Sequence, residues 1–162
     1  MSPILVNTRV RGFSLIEMIV TISITAVLAT LAGPSMTATI ARHRVQDAAS
    51  DLCAVLVRAR ADAVMRNNDV SVLPIGGNWA AGWQIPDPIN SGKYLQTHEP
   101  TQLVAISMFG ATSVTYQFNG RIRGGMGIKF NVGSSVVGEL TAKCVAVDPS
   151  GRPHTQDGTC SG

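Results

Sequence analysis

Apolar and polar positions change rhythm twice along the chain. From Phe13 to Gly33 (FSLIEMIVTISITAVLATLAG), 21 residues run with one charge, Glu17. As a helix at about 1.5 Å per residue this run is roughly 32 Å long. The hydrocarbon core of a bilayer is roughly 30 Å thick, so the run is long enough to span it. From Ser35 to about Asn67 the pattern becomes one-sided. Val45, Ala49, Leu52, Leu56, Ala59 and Ala63 recur at steps of 4, 3, 4, 3 and 4, the period of a helix. Arg42, Arg44, Asp47, Asp51, Arg58, Arg60, Asp62 and Arg66 fall on its other faces. The stripe is only moderately apolar, which predicts a helix docked on a sheet. Pro34 lies where the two patterns meet; it removes a helical hydrogen bond and predicts a kink or a loosened segment.

Beyond Asn67-Asn68, which read as the helix stop, the rhythm shortens to that of strands. Residues 70–73, 78–85, 103–106, 113–118, 126–132, 139–140 and 144–147 are apolar or alternating, with Gly, Asn and Ser between them. Pro74 to Gly77 reads as a turn, and the stretch from Pro86 to Pro100, dense in Pro, Asn, Ser and Gly, as a loop. The expected fold class is α+β: a long N-terminal helix whose second half packs on an antiparallel β-sheet head. Four segments follow: a leader over 1–12, an apolar helix over 13–33, an amphipathic half-helix over 34–67 and a β-rich head over 68–162.

Composition changes this picture little. The chain has 162 residues, and 34–162 suffice for one small domain. Formal charge is +3, but two of its 13 cations, Arg9 and Arg11, precede the apolar run; the remaining 11 face 10 acids. So slight a balance does not by itself imply nucleic acid. Basic residues on the short side orient that side to the cytoplasm and the head to the far side, where disulfides form. Three cysteines allow three pairings. Cys53 reads as a free, buried thiol beside the helical stripe. A Cys144–Cys160 bridge would tie down the polar C-terminal tail.

No cofactor or metal is expected, since no close Cys/His cluster has zinc spacing. Nor does the chain carry a Gly-x-Ser-x-Gly elbow, a phosphate-binding glycine loop or a His-Glu-x-x-His helix, so it is not expected to be an enzyme. His98-Glu99 has no third partner in sequence and reads as solvated loop; Trp79 and Trp83 read as cover for a small core rather than a sugar platform.

The entrance to the apolar run is the informative part. An acid inside a spanning segment costs about 2.5–3.5 kcal/mol at the helix centre and marks a functional candidate. A secretory signal peptide has an apolar stretch of 7–15 residues; the longer run here and its embedded Glu17 argue against one. Arg11-Gly12-Phe13-Ser14-Leu15-Ile16-Glu17 resembles the class III signal of type IV prepilins and type II secretion pseudopilins. The resemblance implies cleavage between Gly12 and Phe13 by prepilin peptidase and N-methylation of Phe13. It also implies an assembly role for Glu17, which offsets the new amine of Phe13. In the second half-helix, Ala59-Arg60-Ala61-Asp62-Ala63 and Arg66-Asn67 are similar to the GspH/FimT family of these proteins, with the usual acid displaced by one residue to Asp62. Trp79-x-x-Gly82-Trp83, Tyr116 to Arg121 and Cys144 to Arg152 resemble head motifs of the same family.

What this resemblance implies is a minor pilin or pseudopilin. Such a subunit waits in the bacterial inner membrane with its head in the periplasm, then joins other pilins in a helical filament through the inner-membrane assembly platform. Its job would be assembly, priming or tip formation of a type IV pilus or type II secretion pseudopilus. The alternative is DNA reception. Some pilins of the FimT type bind DNA through a Gly-Arg-x-Arg turn, which points to Arg121, Arg123 and Arg152. Here Gly151-Arg152-Pro153-His154 lacks the second arginine, and Gly120-Arg121-Ile122-Arg123 lies one hairpin earlier.

Overall fold

The computed structural model describes residues 12–135 and 142–160, with the backbone alone for 31–35. Among the described residues one helix, α1 (Leu15–Arg66), is followed by eight strands: β1 (Val70–Ile75), β2 (Asn78–Pro86), β3 (Tyr94–His98), β4 (Val104–Phe109), β5 (Val114–Tyr116), β6 (Ile128–Ser134), β7 (Lys143–Val147) and β8 (Pro153–Asp157). The backbone is assigned as helix straight through residue 34. The chain divides into two compact units, Met1–Thr37 and Ala38–Gly162, each considered by itself below.

In the first unit the described apolar side chains, among them Phe13, Leu15, Ile16, Ile19, Ile22, Val27 and Leu28, are exposed around the helix. The hydroxyls between them are satisfied within it. Thr21 donates to the Met18 carbonyl, Ser23 to Ile19, Thr25 to Thr21 and Thr30 to Val27. Glu17, in the first turn, is the one charged residue among the described residues of this run. Among the described residues no helix is long and apolar enough to cross a membrane. Their side chains in the run end at Thr30, so Leu15 to Thr30 account for about 24 Å of helix, short of a core of about 30 Å. The expected span over 13–33 continues to residues 31–33, whose side chains lie outside the described residues.

In the second unit the predicted stripe is the buried face of α1: Val45, Ala49, Leu52, Leu56, Ala59 and Ala63 are all buried, with Ala48 and Val55 beside them. They meet two antiparallel sheets, ordered β3-β2-β1-β5 and β4-β6-β7-β8. Trp83, Tyr116 and Phe130 fill the space between, and Trp79 meets Phe130 edge-on at 4.9 Å. The helix ends on a Schellman motif. Asn67 takes the left-handed conformation (φ 49°), its N–H donates to the Val64 carbonyl, and Asn68 N–H donates to that of Ala63.

Several expectations are corrected. The loop over 86–100 contains β3, which pairs with β2 from Trp83↔His98 onward; only Asp87 to Lys93 forms the connection, tied by Asp87 N–H to the Lys93 carbonyl. Pro88 and Gly92 belong to the turn, and the sheet edge imposed extended backbone on a polar segment. β1 runs through Pro74 to Ile75, leaving Gly76-Gly77 as the turn. The polar tail holds an edge strand, β8. Asp62, on a face other than the stripe, is nevertheless buried, between Arg58 and Arg66 at ion-pair distances of 3.7 and 3.6 Å. Cys53 is free but only half-buried, and desolvation pushes its thiol up. The expected strand at 139–140 lies outside the described residues.

Tyr116 is fully buried, and its hydroxyl has no hydrogen-bond partner among the described residues. Burial pushes its phenol well above the usual range. Because the folded state holds this proton more tightly, the stabilisation is complete below the unfolded value of about 10 and is lost as pH rises above it. Tyr116→Phe removes the unpaired group while keeping the ring. We expect it to be neutral or to stabilise by about 1 kcal/mol, and to flatten the fall in stability above pH about 10. Urea midpoints at pH 8 and pH 11 check this; clear destabilisation at pH 8 would show that the hydroxyl is satisfied.

Candidate functional site

Two places gather the residues singled out in the sequence. The first is the N-terminal end of the first unit. Gly12, Phe13, Ser14 and Glu17 line one shallow surface hollow. Phe13 is 81% exposed, and the Met18 N–H donates to the Ser14 carbonyl at 3.2 Å, which starts the helix. A Cβ built on Gly12 meets nothing within 4 Å. Arg9 and Arg11 lie outside the described residues. The Gly12–Phe13 peptide therefore sits on an open, non-helical stretch immediately before a helix with an acid in its first turn. That arrangement suits access by an enzyme from outside and offers no chemistry of its own.

The second place is a pair of turns in the head. Gln117-Phe118-Asn119-Gly120-Arg121 and Asp148-Pro149-Ser150-Gly151-Arg152 have the same hydrogen bonding. Gly120 N–H donates to the Gln117 carbonyl (2.8 Å), and Gln117 N–H to that of Arg121 (2.8 Å). Gly151 N–H donates to the Asp148 carbonyl (2.7 Å), and Asp148 N–H to that of Arg152 (3.0 Å). Both are three-residue loops closed by a glycine at positive φ, 75° and 81°. The second reads directly from its residues: Asp opens a type I turn, Pro takes the next position, and Gly accepts the left-handed one.

The two turns abut. A Cβ on Gly151 would lie 2.0 Å from the Gly120 carbonyl oxygen and 3.3 Å from the Arg121 Cα. Arg60, from α1, joins them: its Nε donates to the Gly120 carbonyl at 2.9 Å and its terminal nitrogen to the Ser150 carbonyl at 3.3 Å. In the sequence pattern Arg60 falls on a face of the helix other than the stripe, and the two turns belong to separate hairpins. The signal that was available is the shared x-x-x-Gly-Arg spacing, twice, in one small head.

Arg121 and Arg152 are exposed on these neighbouring turns, whereas Arg123 forms a salt bridge with Asp69, which also accepts from the Phe118 N–H at 3.2 Å. The structure thus brings two of the three candidate DNA-binding arginines together and engages the third elsewhere. His98 is not paired with the Glu99 side chain. Its ring stacks on Trp83 at 4.0 Å, Nδ1 meets the Glu99 carbonyl at 2.7 Å, and Nε2 lies 3.4 Å from Asp51. Cys144 and Cys160 are joined by a disulfide, and Asn131 accepts the Cys160 N–H at 2.7 Å, which fastens the tail to β6. Among the described residues no group of His, Cys, Asp and Glu could hold a metal ion.

Comparison with known proteins adds three findings. The family described as "Prokaryotic N-terminal methylation motif" matches residues 7–33. The family described as "Type II transport protein GspH" matches residues 48–151, nearly two-thirds of the chain. Two crystal forms of the type IV minor pilin FimU from Pseudomonas aeruginosa share the fold, with TM-scores of 0.62 and 0.60 at 20% identity. They cover 71% and 68% of this chain and 90% and 91% of theirs. No curated protein sequence matches.

Proposed function

Since this chain belongs to the GspH family and is a structural, non-enzymatic subunit of the type IV pilus or type II secretion kind, we propose that it works by being processed at Gly12–Phe13 and built into a filament through its apolar helix. The observation that supports this most is the surface of the first unit. A helix apolar on every side, with its hydroxyls internally satisfied, is stable only in lipid or among other apolar helices. The subunit would wait in the inner membrane with its head on the periplasmic side, then exchange lipid for neighbouring helices. Prepilin peptidase, the assembly platform and other pilins are the partners this requires, and assembly, priming or tip formation is the role it would serve.

Glu17 is the residue that makes the exchange specific. Its carboxylate is costly in a lipid or helical interior unless paired, and cleavage after Gly12 creates an amine on Phe13 that can pair with it, on its own or a neighbouring subunit. Glu17→Leu should therefore insert and be cleaved normally, yet enter filaments about a hundredfold less well, because the remaining amine is buried unpaired at about 3 kcal/mol or more. Quantifying the variant in sheared filaments against the membrane fraction checks this. Normal incorporation would remove the pairing role, and a wild-type chain that does not begin at Phe13 would remove the whole reading.

A further inference from the structure

The last residue of β3 is held from three directions. Trp83↔His98 is the end pair of the β2–β3 ladder. A Cβ on Gly82 would lie 2.2 Å from the His98 carbonyl oxygen, so the two strands meet there backbone to backbone. Just beyond, Thr101 N–H donates to the Ala80 carbonyl at 3.2 Å. The His98 ring has correspondingly little freedom. It lies on the Trp83 indole, 13° from parallel with centroids 4.0 Å apart, and its side chain is 26% exposed. Asp51 reaches it from α1 with a side chain that is 57% exposed, and so can turn to water instead.

Both ring nitrogens face acceptors. Nδ1 lies 2.7 Å from the Glu99 carbonyl, which can only accept, so Nδ1 carries a proton. Nε2 lies 3.4 Å from an Asp51 carboxylate oxygen, which when ionised also only accepts. A neutral imidazole has one N–H. With that proton committed to Glu99, Nε2 offers Asp51 a lone pair, and the two atoms repel. Only the imidazolium satisfies both acceptors. The carbonyl is fixed by the backbone and the carboxylate is not. Loss of a proton therefore bares Nε2 and releases Asp51.

The charged groups around the ring are Arg44, Asp47 and Asp51 from α1 and Glu99 from the segment after β3; β2 supplies the uncharged indole. Carboxylates and guanidinium groups ordinarily keep their charge between pH 5 and 8, where an imidazole ordinarily changes its own. Further along α1, Arg60 is tied to the Gly120 and Ser150 carbonyls through a guanidinium that stays charged. The helix is thus fastened to the head by one tie that ignores pH and one that answers to it.

We propose that His98 is a pH-sensitive clasp between α1 and the edge strand β3, closed on Asp51 when the ring is protonated and open when it is neutral. The device lies wholly within the head and does not rest on the filament reading.

The test uses the full chain in detergent micelles with ¹⁵N-labelled histidine, whose ring nitrogen shifts report where the protons sit. His98 is assigned by its absence from His98→Gln. At pH 5 both of its ring nitrogens should be protonated. At pH 8 the proton should remain on Nδ1 alone, the reverse of the Nε2–H form that a histidine side chain favours in water. Asp51→Asn separates the clasp from general effects. Its amide donates to a bare Nε2, and its carbonyl accepts from a protonated one, so this clasp stays closed at both pH values. At pH 8 the β3 amides of the Asp51→Asn chain should exchange about fivefold more slowly than those of the wild type, the scale of one hydrogen bond. At pH 5, where both clasps are closed, the difference should vanish or reverse; a folding effect would keep the same sign at both. A His98 ring whose protonation does not change between pH 5 and 8 overturns the proposal. So does a pH 8 proton on Nε2, or β3 exchange that is equal in the two chains at pH 8.

Discussion

Gly12→Leu is expected to leave essentially all of the chain uncut, at the mass of all 162 residues, whereas processing as proposed would leave the wild-type chain twelve residues shorter and beginning at Phe13. The physical argument has two parts. A Cβ at position 12 touches nothing within 4 Å and α1 starts three residues later, so the chain's own fold is indifferent to the substitution. Any loss would then fall on the proposed peptidase step, where a branched side chain would obstruct approach to the Gly12–Phe13 bond. Without cleavage there is no Phe13 amine, and Glu17 loses its proposed partner as well. On this proposal one substitution should remove both processing and assembly, while Glu17→Leu should remove assembly alone. Intact-mass measurement of the membrane fraction decides the matter; a Gly12→Leu chain beginning at Phe13 would refute the assignment of the cleavage site.

The second large effect concerns the head. Gly151→Ala should destabilise it by about 3–5 kcal/mol. A left-handed alanine costs about 1–2 kcal/mol. The added methyl also displaces the Gly120 carbonyl, which lies 2.0 Å from where that methyl must sit and accepts the bond from Arg60. Losing a charge-assisted hydrogen bond accounts for about 1.5–3 kcal/mol more. Gly158→Ala is the control. Its φ of 87° carries the same backbone cost, but nothing lies within 4 Å of its added methyl, so about 1–2 kcal/mol is expected. Urea unfolding followed by the fluorescence of the buried Trp79 and Trp83 measures both. Equal losses would mean that the turns do not depend on each other.

The helix was legible because its signals are local. Six stripe residues at helical spacing name the buried face of α1, and the two asparagines after Arg66 supply the residue that tolerates the left-handed stop. The core strands were legible for the same reason: Val70 and Val72, or Ile128, Phe130 and Val132, alternate wherever one side faces the core. β3 and β8 were not. Tyr94 to His98 and Pro153 to Asp157 are polar edge strands, and their extended backbone is imposed by pairing to β2 and β7 rather than by their own side chains. At the N-terminus Gly12, Phe13 and Glu17 fall within residues 7–33, which match the N-terminal methylation motif, a short contiguous segment of the kind that sequence alone can carry.

Residue order therefore specified everything that works over one turn of helix or one strand: the apolar rod, its lone acid, the docking stripe and the two turns as turns. Folding in three dimensions was needed to set those turns against each other and to commit Arg60 to two carbonyls 60 and 90 positions away. The reason is range. Propensity and periodicity act between neighbours in sequence, whereas charge and close backbone contact act between neighbours in space.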